Sequence, residues 1–102
     1  MAWGPDANTE QELEKLAAVR AYFEEAFPGA EVRNSYDSDR LAQVFQIEID
    51  QIEGFRNAVL LTEFLEEHAA GKLGKMLASW RVAENLRSAK EIVVTSWGLE
   101  EK

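Results

Sequence analysis

The stretch GFRNAVLLTEFLEEHAAG, residues 54–71, decides how many strands this chain can have. Its apolar residues recur at helical intervals. Ala58, Leu61, Leu65 and His68 fall on one line, and Phe55, Val59 and Thr62 on another beside it. The spacing predicts one helix from about Gly54 to Ala70-Gly71, where glycine favours a helix end.

Working outward, Thr9-Glu10-Gln11-Glu12 reads as a capping box, and Leu13, Leu16, Ala17, Phe23 and Phe27 follow at helical spacing up to Pro28-Gly29. The first helix is therefore expected over about 9–27. Ala30, Val32, Asn34 and Tyr36 then alternate with Glu31, Arg33 and Ser35, as in a strand. Asp37-Ser38-Asp39-Arg40 has turn chemistry. Beyond it Leu41, Phe45, Ile47 and Ile49 face one way while Ala42, Val44, Gln46 and Glu48 face the other, a second strand paired to the first in a hairpin. Downstream of the central helix, Leu73, Met76, Leu77 and Trp80 form one stripe, but Val82 and Leu86 emerge on roughly the opposite side. That phase break predicts a kink at Ser79–Arg81 and a further helix over about 81–90. Glu91–Trp97 is rich in β-branched residues and apolar on both faces, an inner strand.

The expected fold is α+β, a small three-stranded antiparallel sheet packed with helices in the order α-β-β-α-α-β. The third strand is expected to run antiparallel to the second. Residues 1–102 are expected to form a single domain with a flexible lead over 1–8. Leu16, Phe23, Phe45, Ile47, Val59, Leu61, Leu65, Leu86 and Val94 are expected in its core.

Composition narrows the function. A net charge of −8 disfavours direct binding to nucleic acid, because a surface this negative repels phosphate. No apolar run approaches the length of a membrane span, and MAWGPDANTEQ lacks the pattern of a secretory signal. The absence of cysteine removes disulfides, thiol nucleophiles and thiolate metal sites. A cytoplasmic location is the resulting expectation.

Candidate chemistry is sparse. His68 is the only histidine, and neighbouring Glu67 points elsewhere on a helix, so a general base is less apt than a boundary residue near a helix end. Asp37-Ser38-Asp39 lacks the later glycine and glutamate of a calcium loop. Gly71-Lys72-Leu73-Gly74-Lys75 misses the phosphate-binding pattern, and no serine or threonine has a histidine at legible spacing. No catalytic residue, cofactor or metal is expected.

Charge is more informative. Residues 71–90 hold five basic residues against one acid, Glu84, leaving six basic residues and eighteen acids for the rest of the chain. Lys72, Lys75, Trp80, Arg81, Arg87 and Lys90 are the candidate interaction surface, an aromatic anchor beside cations. The same cations also fit the wet backs of amphipathic helices. The expected function is a non-catalytic protein-interaction module whose partner is another protein or a second copy in a homodimer. The alternatives are an inhibitor that imitates nucleic acid and, less favoured, a carboxylate-based metal-dependent enzyme.

Overall fold

The computed structural model describes residues 10–48 and 55–101. The expected lead over 1–8, Trp3, the capping hydroxyl of Thr9 and Ile49 lie outside the described residues. Helix α1 (Glu10–Ala26) occupies nearly its expected span, with Glu10 and Glu12 in the first turn where the helix dipole favours acids. It buries Leu16, Val19 and Phe23, with Phe27 just beyond its end. Gly29 then adopts φ 83°, a conformation that glycine takes without steric cost. Strands β1 (Glu31–Asp37) and β2 (Ala42–Glu48) pair antiparallel as a hairpin, Val32 opposite Ile47 and Asp37 opposite Ala42.

The central stretch departs from expectation. Residues 54–71 do not form one helix. Strand β3 (Phe55–Leu61) comes first and pairs antiparallel with β2, and the short helix α2 (Thr62–Glu67) follows with no intervening loop. Helix α3 (Ala70–Ser79) begins where the single helix was expected to end. The cause is the burial of β3. Ala58 and Leu60 point into the core beneath the helices, while Val59 lies buried on the opposite face. A strand covered on both faces loses its polar alternation and reads as a continuous apolar run. Leu61 ends β3 and also serves as the N-cap of α2, so no glycine or proline marks the change.

Helix α4 (Val82–Ser88) and strands β4 (Glu91–Thr95) and β5 (Gly98–Glu101) complete the chain. The expected three-stranded antiparallel sheet is therefore corrected to a five-stranded mixed sheet in the order β1-β2-β3-β4-β5, and the element order to α-β-β-β-α-α-α-β-β. Strand β4 pairs with β3 and is parallel to it, Val59 beside Val93, instead of pairing with β2. The run expected to reach Trp97 stops at Thr95 and turns back into β5.

The four described helices pack into one core with the sheet, centred on Phe23, Phe45, Phe64, Leu73, Leu77 and Leu86. The break between α3 and α4 lies at Trp80–Arg81, as the phase change required, with Arg81 at φ 56°. Tyr22 of α1 secures it. Its hydroxyl accepts the Ala83 N–H at 2.9 Å and donates to the Leu77 carbonyl at 3.3 Å. One side chain thus joins the end of α3 to the start of α4 and supplies an acceptor for an N–H that the helix cannot satisfy itself. Burial pushes the Tyr22 pKa up, and the Ala83 hydrogen bond offsets part of that rise.

The other face of the sheet carries Ala42, Val44, Val59 and Val93 in a second apolar cluster. Arg40 pairs with Asp37 at 2.8 Å in the β1–β2 turn and with Glu91 at 3.2 Å on β4. Glu91 and Val93 share this face by strand alternation. Arg40 thus ties the β1–β2 turn to β4 on this face of the sheet.

Phe45→Ala should cost about 3–5 kcal/mol, since Phe45 is fully buried between β1, β3 and α1. Denaturant titration checks this, and a loss below about 1 kcal/mol would contradict the packing. Tyr22→Phe should cost about 1 kcal/mol by leaving the Ala83 N–H without its acceptor. The Tyr22 pKa is raised, so the fold favours the protonated hydroxyl. That contribution is full below the ordinary value of 10.0 and is lost as pH rises through the higher folded value. The difference in stability between wild type and Tyr22→Phe should therefore shrink in strong alkali.

Candidate interaction surface

The end of the sheet formed by the β1–β2 turn, the close of β3 and the β4–β5 turn is built with unusual tension. In the first turn one Asp37 carboxylate oxygen accepts the N–H groups of Asp39 and Arg40 at 3.0 and 3.2 Å, and the other accepts Arg40 Nε at 2.8 Å. Local hydrogen bonds and an arginine thus occupy the group that resembled a metal loop. The next residue, Leu41, has φ 51°. Left-handed backbone costs a residue bearing Cβ about 1–2 kcal/mol. Two bonds to one oxygen hold it there: the Leu41 carbonyl accepts both the backbone N–H and the hydroxyl of Thr62, at 2.9 and 2.6 Å. The leucine so held is 61% exposed.

Across this end, Ser96-Trp97 forms the tight connection from Thr95 to Gly98. Thr95 Oγ1 accepts the Trp97 N–H at 3.1 Å and donates to the Gly98 carbonyl at 3.0 Å. The backbone is fixed while the indole stands 93% exposed. Two hollows of about 430 and 310 Å³ lie between these turns, one beside Trp97 and the other beside Leu41, and both are lined by Leu61 and Glu63. Glu66 and Glu100 also line them. Among the described residues that line the hollows, the one cation, Arg40, is committed to Asp37 and Glu91. The surface is apolar at its centre and acidic around it.

The residues expected to form one basic surface lie on several elements. Lys72 and Lys75 are exposed on α3, Arg81 precedes α4, and Lys90 precedes β4 with its carbonyl accepting the Asn57 N–H at 2.9 Å. Trp80 is half-buried, its ring 5.5 Å from that of Phe64. Arg87 lies over the Phe27 ring at 4.8 Å, a cation–π contact that closes the end of α1. His68 follows α2, where its Nδ1 lies 2.9 Å from the Phe64 carbonyl. The Gly71–Lys75 segment lies within α3, so Gly71 does not end a helix. Among the described residues no three histidine or carboxylate side chains gather closely enough to hold a metal ion. Nor is any helix among them long and apolar enough to cross a membrane.

Sequence reasoning placed Leu41 on the buried face of β2 and Trp97 at the end of a strand, and so missed this surface. The available signal was Ser96-Trp97-Gly98, a large aromatic set between two turn-forming residues. No protein family, curated protein or solved structure matches the chain.

The Arg40 side chain holds the Asp37 pKa below its ordinary value of 3.8. The stability from this pairing is present above 3.8 and is lost as pH falls through the lower folded value. Asp37→Asn keeps an acceptor for the turn but removes the charge. Its deficit relative to wild type should be greatest above pH 3.8 and close on further acidification. A deficit constant across an acid series of denaturant titrations would show that charge pairing is not its source.

Proposed function

We propose that the chain is a non-catalytic protein-interaction module, cytoplasmic, that receives a basic partner at the end of the sheet marked by Leu41 and Trp97. The observation that carries this reading is Leu41. The fold holds it in a strained conformation that asparagine or glycine would adopt more cheaply, and leaves its side chain in water. Strain of this kind persists where the surrounding structure enforces it, and it gathers at binding and catalytic sites. Leu41 and Trp97 gain nothing for the fold by their exposure. Together they supply the apolar anchors of an interface, and tryptophan is prominent among residues that dominate binding energy.

Charge selects the partner. Glu63, Glu66 and Glu100 surround the anchors, so a partner carrying lysine or arginine around an aliphatic or aromatic side chain is attracted, and an acidic one is repelled. The net charge of −8 steers such a partner over longer distances at low salt.

Selection from a random peptide library tests this. Enriched sequences should be basic with one large apolar residue, and Trp97→Ala should abolish their binding while leaving the fold intact. Leu41→Gly separates binding from folding. It should stabilise the fold by up to about 1 kcal/mol by relieving left-handed strain, yet weaken binding tenfold or more. Enrichment of acidic peptides, or binding indifferent to both substitutions, would overturn the proposal.

A further inference from the structure

The sheet ends in two strands that are paired on one side only, β1 and β5. Alternate residues of an edge strand direct their N–H and C=O groups outward, where another chain can pair with them. The two edges differ. On β1 the Val32 carbonyl accepts Arg20 Nη1 of α1 at 2.7 Å, so a guanidinium occupies that edge. Arg33 places a second cation on the same strand, paired with Glu31 at 3.0 Å. Among the described hydrogen bonds the only side chain on the β5 backbone is that of Thr95, which belongs to the same hairpin. Nor does β5 contain proline or a bulge. Its register with β4 runs unbroken from Thr95 opposite Gly98 to Ile92 opposite Glu101.

The side chains of β5 indicate what pairs there. Successive residues point to opposite faces. Leu99 lies opposite Val94, half-buried against the main core, whereas Glu100 lies opposite Val93 on the other face and is exposed. A strand laid beside β5 meets leucine on one face and a carboxylate on the other. Cross-strand pairing favours an apolar residue beside the first and a cation beside the second. Trp97 stands where the strand begins, and it lines the hollow of about 430 Å³ together with Glu63, Leu99 and Glu100. A second copy of this chain has the wrong charge for this edge, since it brings a net −8 and its own Glu100. Arg20 and Arg33 turn a basic segment away from β1.

We infer that the partner at the sheet end binds as an added strand on the outer edge of β5, through an extended segment in which basic and apolar residues alternate. This rests on the reading of Leu41 and Trp97 as anchors of an interaction surface. Backbone hydrogen bonds supply affinity, and the alternation of Leu99 and Glu100 sets which face the cations take. The four residues of β5 limit the paired stretch to about that length. The Thr95 hydroxyl, bonded to both the Trp97 N–H and the Gly98 carbonyl, holds the hairpin in its paired shape in advance.

Titration with a blocked peptide, Lys-Val-Lys-Leu-Lys-Val-Lys, tests the inference. Two further peptides carry N-methyl groups, one on the lysines and the other on the apolar residues. Only alternate N–H groups of an added strand face β5, so one methylated peptide should bind tenfold or more weakly and the other within about threefold of the parent. Glu100→Lys should weaken the parent peptide tenfold or more, and strengthen a peptide with glutamate in place of lysine, because the cross-strand pair is re-formed with its signs exchanged. If Glu100→Lys fails to fold, the methylated peptides decide alone, since they leave the protein unchanged. No binding of the parent peptide at millimolar concentration, equal effects of the two methylation patterns, or a folded Glu100→Lys variant that binds both peptides as wild type does would overturn the inference. Equal methylation effects with binding still abolished by Trp97→Ala remove the added strand and leave the anchors. Unequal effects with binding indifferent to Trp97→Ala remove the anchors and leave the strand.

Discussion

Strand β4 lies parallel to β3, and no tight turn can join parallel neighbours. The chain must travel back along the sheet before β4 can begin, and the segment from α2 through α4 makes that journey. Much of the architecture follows from this constraint. The crossover and α1 share one face of the sheet, and together they bury Phe23, Phe45, Phe64, Leu73, Leu77 and Leu86 in one layer. The crossover also has to bend at Trp80–Arg81, because one straight helix could not present both Leu77 and Leu86 to that layer. The Tyr22 hydroxyl meets both halves of the bend at once. A single polar contact from α1 thereby holds the geometry that parallel pairing demands.

The opposite face has no helix among the described residues and holds a separate apolar cluster. Arg40 reaches from the β1–β2 turn to β4, with a carboxylate at each end of its path. An arginine can do this because its stem is apolar and its planar head binds two carboxylates. The same turn places Leu41 in left-handed backbone against Thr62. Tying the turn to β4 and straining the adjacent leucine are consequences of one short segment. That explains why the exposed apolar anchors lie at this end of the sheet.

The charge pattern takes on a different meaning in three dimensions. Five cations in residues 71–90 looked like a single patch, yet their surroundings diverge. Arg87 closes the end of α1 by lying on Phe27, Trp80 packs against Phe64, and the exposed lysines of α3 stand beside an acidic helix. Two surfaces of different character result. One, at the sheet end, is acidic around the exposed Leu41 and Trp97; the other, between α1 and α3, has Glu25 and Lys75 on opposite sides.

Much of the outline was legible from residue periodicity. Helix α1, the β1–β2 hairpin and the break between α3 and α4 followed from local patterns of apolar spacing and turn chemistry. Leu16, Phe23, Phe45, Ile47 and Leu86 were assigned to the core for the same reason, and all are buried. The acidic net charge and the lack of cysteine were likewise properties of the sequence alone. Strand β3 was not legible, since a strand buried on both sides has no polar face to reveal its period, and its junction with α2 has no breaking residue. The parallel pairing of β4, the strain at Leu41 and the exposure of Trp97 were decided only by tertiary structure. Each depends on partners far away in the chain: Val59 beside Val93, the Leu41 carbonyl on Thr62, and a β5 that turns Trp97 outward. Local sequence sets which faces seek burial, but long-range hydrogen bonding decides which strands meet and which side chains are left in water.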